Sequence, residues 1–146
     1  MDDQSRQSPT SGVFTKPLIL YIEDDLDTRG AYAALLRHAG FRVAEARNGV
    51  EGVESVLDLK PDLVLTDLSM PIVDGFEAMR RIKKNPKTAH IPVVILSGRA
   101  LREEEKPFCD GFLSKPHDAA ALVRMINDTL DSRAPRTNLI EKKRAQ

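Results

Sequence analysis

Three short, unbroken apolar runs constrain this chain more than any other feature: Leu18-Ile19-Leu20-Tyr21-Ile22, Leu63-Val64-Leu65 and Val93-Val94-Ile95-Leu96. A strand with one wet face alternates apolar and polar residues; a strand covered on both faces does not. These runs therefore predict central strands of a parallel sheet with helices on both sides. Weaker strand signals lie at Arg42–Ala46 and Gly111–Ser114. Between the runs, apolar residues recur at helical spacing. Tyr32, Leu35, Leu36 and Ala39 share a face before Gly40; Val50, Val53, Val56 and Leu57 precede Pro61. Phe76, Met79 and Ile82 precede Asn85-Pro86, and Leu122, Met125, Ile126 and Leu130 precede Ala134-Pro135. Glycine just past a helix and proline beyond it both stop helical continuation. Strands alternating with helices of ten or more residues imply right-handed βαβ units, hence an α/β chain with a five-stranded parallel sheet.

With 146 residues the chain suits one domain. Hydrophobic residues at 41% and charged residues at 30% argue against wholesale disorder. The longest apolar run, residues 31–36, is far too short to span a bilayer, and no apolar leader follows the start. A soluble cytoplasmic protein is expected. Cys109 is the sole cysteine, which excludes an internal disulfide, and His38, His90 and His117 lack metal-ligand spacing. Cys109, Met79 and Phe76 read as packed residues. His38 reads as a cation in the last turn of a helix, and His117 as the start of the last helix. The polar stretch 1–16 reads as a disordered lead, 17–131 as the domain and 132–146 as a basic tail. Residues 133–146 carry a net charge of +4 and the body 17–132 carries −4, which does not suggest a nucleic-acid surface.

In an open parallel sheet, ligands bind beyond the carboxyl ends of the strands. Glu23, Asp24 and Asp25 follow the first strand, Asp67 the third, Ser97 and Gly98 the fourth, and Lys115-Pro116 the fifth. Carboxylates gathered at one edge repel one another unless a cation sits among them. Mg²⁺, with one or two carboxylates, a carbonyl and waters, resolves that conflict and suits phosphoryl chemistry. Lys115 adds a second cation, Ser97 a hydroxyl for a phosphoryl oxygen, and a carboxylate there can be the nucleophile.

The segments 19–24, Asp67-Leu68-Ser69-Met70-Pro71 with Asp74-Gly75, 93–98 and Lys115-Pro116 together resemble the receiver domain of two-component response regulators. The resemblance covers residues 17 to 131. It implies a flavodoxin-like fold with strand order 2-1-3-4-5. It implies Asp67 as phosphoacceptor and Lys115 as the lysine bridging to the phosphoryl group. Ser97 becomes the switch hydroxyl and Phe112 the switch aromatic. Asp24 becomes the direct Mg²⁺ ligand, with Glu23 acting through water, and the Ser69 carbonyl and Asp67 complete the protein's share of the shell. With three adjacent acids, Asp25 remains an alternative to Asp24 or Glu23. The Lys115-Pro116 bond is expected to be cis, and Ser69 and Arg99, two residues past Asp67 and Ser97, to flank the route of the hydrolytic water.

The function implied is a phosphorylation-dependent signalling switch and not an enzyme. A sensor histidine kinase or histidine phosphotransfer protein would donate the phosphoryl group in a Mg²⁺-dependent step. Fifteen residues after Asp131 are too few for a DNA-binding output domain, so the signal is expected to leave through contact with a downstream protein. The alternative is a pseudo-receiver interaction module not regulated by phosphorylation. A phosphatase using an aspartate nucleophile would place a second aspartate two residues on, where Ser69 stands.

One departure from the family stands out. Ser97 and Lys115 are eighteen residues apart, about four fewer than usual, roughly one helical turn. The segment Leu101-Arg102-Glu103-Glu104-Glu105-Lys106 has one plain apolar anchor, three consecutive glutamates that would expose charge to each other, and Pro107 as a stop. It predicts a fourth helix of at most two turns, or a frayed one. That puts in doubt the face of fourth helix, fifth strand and fifth helix through which such domains commonly bind partners.

Overall fold

The computed structural model describes residues 15–68, 70, 73–115 and 117–133. The unbroken apolar runs become its inner strands. In chain order the elements are β1 (Leu18–Ile22), α1 (Leu26–His38), β2 (Arg42–Ala46), α2 (Gly49–Leu59), β3 (Leu63–Asp67) and α3 (Gly75–Lys84). They continue with β4 (Val93–Ser97), a single 3₁₀ turn (Lys106–Phe108), β5 (Gly111–Ser114) and α4 (Ala119–Arg133). All neighbouring strands pair in parallel, in the order β2-β1-β3-β4-β5. This is the flavodoxin-like arrangement, and its strand order reverses between β1 and β3.

Because side chains alternate across a strand, each inner strand feeds two cores. Leu20, Ile22, Val64, Val93 and Ile95 pack with Val56, Met79 and Ile82 of α2 and α3. Ile19, Tyr21, Leu63, Leu65, Val94 and Leu96 pack on the opposite face with Leu36 of α1 and with Leu122 and Ile126 of α4. The edge strands are only half-covered, which explains their fainter sequence signal.

Local chemistry sets the helix ends. Asp25, Asn48 and Asp74 cap α1, α2 and α3 by accepting the amides of Thr28, Glu51 and Glu77 at 2.9, 2.8 and 2.8 Å. Gly40 takes φ = 105° after α1, a conformation that favours glycine. His38 does close α1. His117, by contrast, does not begin the last helix. It precedes α4, and the Asp118 carboxylate caps that helix by accepting the Ala121 amide at 2.7 Å.

The connection from β4 to β5 forms no α-helix; it holds only the 3₁₀ turn. Its far end is pinned where Asp110 accepts the Val93 amide at 2.8 Å and pairs with Lys83 at 2.7 Å. Leu101, Phe108, Cys109 and Phe112 pack on the α2–α3 core, and Phe108 meets Phe76 edge-on at 5.9 Å. Met79 is a core residue as expected, Phe76 packs half-buried against that core, and the half-buried Cys109 thiol donates to the Gly111 carbonyl at 2.9 Å. Of the three glutamates, Glu103 and Glu104 are exposed and Glu105 is buried. Glu105 is 1% accessible, because an arginine outside the segment pairs with it.

Candidate functional site

Parallel pairing brings the strand ends to one edge. Ile22 pairs with Thr66, which sets Glu23 beside Asp67, and Asp67 itself pairs with Leu96. Ser97 pairs with Ser114, and the Lys115 amide donates to the Ser97 carbonyl at 2.8 Å. Glu23, Asp67, Ser97 and Lys115 are thereby collected from four strands. The sequence predicted this grouping.

Asp67 Oδ1 accepts the Leu68 amide at 2.7 Å, and Oδ2 faces Lys115 Nζ at 3.3 Å. The carboxylate is mostly covered yet reachable from solvent. Its backbone is fixed from the other side: the Gly75 amide donates to the Leu68 carbonyl at 2.8 Å. A Cβ on Gly75 would overlap the Asp67 carbonyl, so only glycine lets α3 approach this closely.

Glu23 is buried. Its Oε1 accepts from Tyr21 Oη at 3.4 Å and its Oε2 from the Asp25 amide at 3.1 Å. Burial pushes its carboxyl above the ordinary carboxylate range, and the nearby Asp24 and Asp67 push it the same way. The Asp25 amide and Lys115 pull in the opposite direction. Burial likewise pushes the Tyr21 phenol up, with the Glu23 charge next in effect. Arg29 braces the loop by donating to the Glu23 carbonyl at 2.8 Å and pairing with Glu45 at 3.3 Å.

The geometry separates the three adjacent acids. Asp25 is committed to α1: one of its oxygens takes both the Thr28 amide and the Thr28 hydroxyl, the latter at 2.7 Å. Those bonds hold its carboxyl below the usual range. Asp24 has no such duty and lines an open cleft of about 520 Å³ with Leu68, Asp74 and Arg99. Ser69, whose carbonyl the resemblance adds to the metal shell, and Pro116, whose bond to Lys115 was expected to be cis, lie outside the described residues. So do most of the lead and of the basic tail.

Among the described residues, no three or more histidine, cysteine, aspartate or glutamate side chains stand preassembled around one point. Mg²⁺ does not require that, since it keeps several waters and takes one or two carboxylates. Asp67 pairs with Lys115, Glu23 lies within the field of both, and Asp24 lines the adjoining cleft. That hard-oxygen donor set fits a small divalent cation.

Phe112 pairs with Ile95 in the ladder and packs half-buried on the same core as Leu101 and Phe108 of the 98–110 connection. Ser97 is buried and its Oγ accepts the Arg99 amide at 3.0 Å. The residue that sequence reading missed is Glu105. It receives Arg99 Nη1 and Nη2 at 3.0 and 2.8 Å and the Arg102 amide at 2.7 Å. The pair spans six residues of irregular backbone, so no helical or strand period announces it.

The response regulator receiver domain model matches residues 19–127. The chain belongs to this family. It is 34% identical over 117 residues to protein PilH of Pseudomonas aeruginosa, covering 77% of this chain and 96% of PilH. It is 32% identical to the probable transcriptional regulator ycf29 of Pyropia yezoensis, covering 77% of this chain and 52% of that protein. The chain thus spans about half the length of several curated relatives, ycf29 among them. Among solved structures it resembles the receiver domain of a Pseudomonas aeruginosa sensor histidine kinase, described with a magnesium ion coordinated in its active site cleft. That likeness has a TM-score of 0.73 and 26% identity, covering 80% of this chain and 99% of the other. This receiver domain is therefore a module of two-component signalling. No helix among the described residues is long and apolar enough to cross a membrane.

Proposed function

We propose that this receiver domain is a phosphorylation-dependent switch in which Asp67 accepts a phosphoryl group in a Mg²⁺-dependent step. The donor is a histidine kinase or a histidine phosphotransfer protein, and the signal leaves through protein contact in the cytoplasm. The observation that carries this reading is the meeting of Asp67 and Lys115 at 3.3 Å beside Glu23, at the carboxyl edge of the sheet. An Asp67 oxygen attacks the phosphorus, the bond from phosphorus to the donor's imidazole nitrogen breaks, and an acyl phosphate remains on Asp67. The imidazole leaves with the bond's electron pair and takes up a proton from solvent as pH requires. Glu23, Asp24 and Asp67 would hold Mg²⁺, the Ser69 carbonyl completing the set. When bound, the ion neutralises charge on the transferring group. Lys115 pairs with a phosphoryl oxygen, and the Ser97 hydroxyl turns to donate to another. Phe112, packed on the same core as the neighbouring connection, moves with them and biases a two-state equilibrium.

The test is incubation with acetyl phosphate and Mg²⁺, read by intact mass. One phosphoryl group is expected on the native chain, suppressed by EDTA and missing from Asp67→Asn. Undiminished labelling of Asp67→Asn overturns the assignment. An unlabelled native chain in the presence of Mg²⁺ favours the pseudo-receiver module instead.

A further inference from the structure

Glu105 is an ionisable group sealed into a connection that has lost its helix, and its charge is matched from the edge of the candidate phosphorylation site. Arg99 grips it with both terminal nitrogens, at 3.0 and 2.8 Å. Glu105 also holds the turn together: its Oε1 takes the Arg102 amide, and its own amide donates to the Arg102 carbonyl at 2.9 Å. The two partners differ in exposure. The Glu105 side chain is 1% accessible, the Arg99 side chain 37%. Arg99 can therefore move, whereas Glu105 cannot stay where it is without a cation.

Arg99 lines the same cleft as Asp24 and Asp74. Its guanidinium is held charged by Glu105 first, and by the fields of Asp74 and Asp67 after it. Its amide is tied to Ser97 Oγ, so a turn of the switch hydroxyl disturbs the backbone of Arg99 directly. A phosphoryl group brings roughly −1.5 to −2 charges and three acceptor oxygens. The planar guanidinium fork fits such a group as well as it fits a carboxylate. Arg102 is a poorer candidate, because its contact with Glu105 is made by the backbone amide.

We propose that Arg99 and Glu105 form a latch, and that a phosphoryl group on Asp67 takes Arg99 from Glu105 and so releases the 100–108 segment. Arg99 acts as a positioning residue for the phosphoryl group. Glu105, left without its cation, turns out to solvent and carries the 3₁₀ turn off the core. The newly uncovered surface around Phe108 and Phe112 is what a downstream protein would read. In a receiver without the usual fourth helix, this ion pair does the work of holding the connection closed.

The proposal rests on Asp67 as phosphoacceptor, so both are measured in one sample of the full chain. Acetyl phosphate and Mg²⁺ are added, intact mass gives the extent of labelling, and hydrogen exchange is followed across 100–108. Labelled native chain is expected to exchange at least tenfold faster there than unlabelled chain, with the strands unchanged. Glu105→Gln, which keeps the shape and removes the charge, is expected to exchange fast without labelling and to gain nothing from it. A ³¹P spectrum isolates the role of Arg99. The acyl phosphate resonance is expected to shift in Arg99→Ala and to keep its native position in Glu105→Gln, since only the first variant loses the phosphoryl contact. Labelled native chain with unchanged exchange overturns the latch and leaves Asp67 as acceptor. An unlabelled native chain overturns both. An unshifted ³¹P resonance in Arg99→Ala removes Arg99 from the phosphoryl group.

Discussion

Replacing Gly75 and Gly30 by alanine should move stability in opposite directions. At Gly75 the new methyl group would meet the Asp67 carbonyl, the Asp67 carbonyl carbon and the Leu68 Cα. These are backbone atoms of β3 and its exit, so no side chain can rotate away. Overpacking of this kind costs about 1–3 kcal/mol. Gly75 is the first residue of α3, so the gain in helix propensity offsets little of that. At Gly30, inside α1 and exposed, a Cβ meets nothing within 4 Å. There the substitution removes only backbone freedom from the unfolded chain and should stabilise by about 0.5–1 kcal/mol. For a domain of this size each kcal/mol moves the melting temperature by about 4 °C. Thermal unfolding followed by circular dichroism should therefore show Gly75→Ala melting about 4–12 °C lower and Gly30→Ala about 2–4 °C higher. Labelling of Asp67 should slow in Gly75→Ala and stay native in Gly30→Ala, because only the first displaces the Asp67 backbone. A Gly75→Ala protein with native melting and native labelling would refute the claim that this glycine sets the position of Asp67.

Among the acids, Asp24→Asn should lose Mg²⁺-dependent labelling while keeping its melting temperature. Asp25→Ala should keep labelling and melt lower, and the reverse pattern, read by intact mass and circular dichroism, exchanges their roles. Acid should weaken the connection through Glu105. Arg99 holds its carboxyl below the ordinary glutamate value, so the ion pair's stabilisation is complete above about pH 4.3 and is lost as pH falls through the lowered folded value. Hydrogen exchange across 100–108 should accelerate in that acid window for the native chain and show no such step in Glu105→Gln.

The fold was legible because burial on two faces leaves a mark that survives without any structure: Leu20 and Ile22 serve one core, Ile19 and Tyr21 the other, so β1 has no polar position to spare. The site was legible for a related reason. Parallel pairing makes every strand end part of one edge, so residues following separate apolar runs meet whatever the helices do. Asp25 was ambiguous because three carboxylates in a row are chemically alike. Only the Thr28 amide and hydroxyl, which occupy it, separate it from Asp24. Glu105 was invisible because its partner lies six residues back along irregular chain, and burial of a charge is decided by that partner and by no local pattern. His117 fell two residues short of α4 because Asp118 is the better cap.

Cys109, described above as a half-buried thiol bonded to the Gly111 carbonyl, makes this chain its own reporter. Burial pushes the thiol up, away from the reactive thiolate, so it should alkylate slowly while the connection is closed. It is the one sulfhydryl in the sequence, and it lies one residue past the 3₁₀ turn. A maleimide or a fluorine-bearing alkylating reagent would therefore mark a single position, with no cysteine to engineer in or out. Its rate of attachment becomes a clock for how often the segment opens, readable in the native protein and in a mixture with its partners.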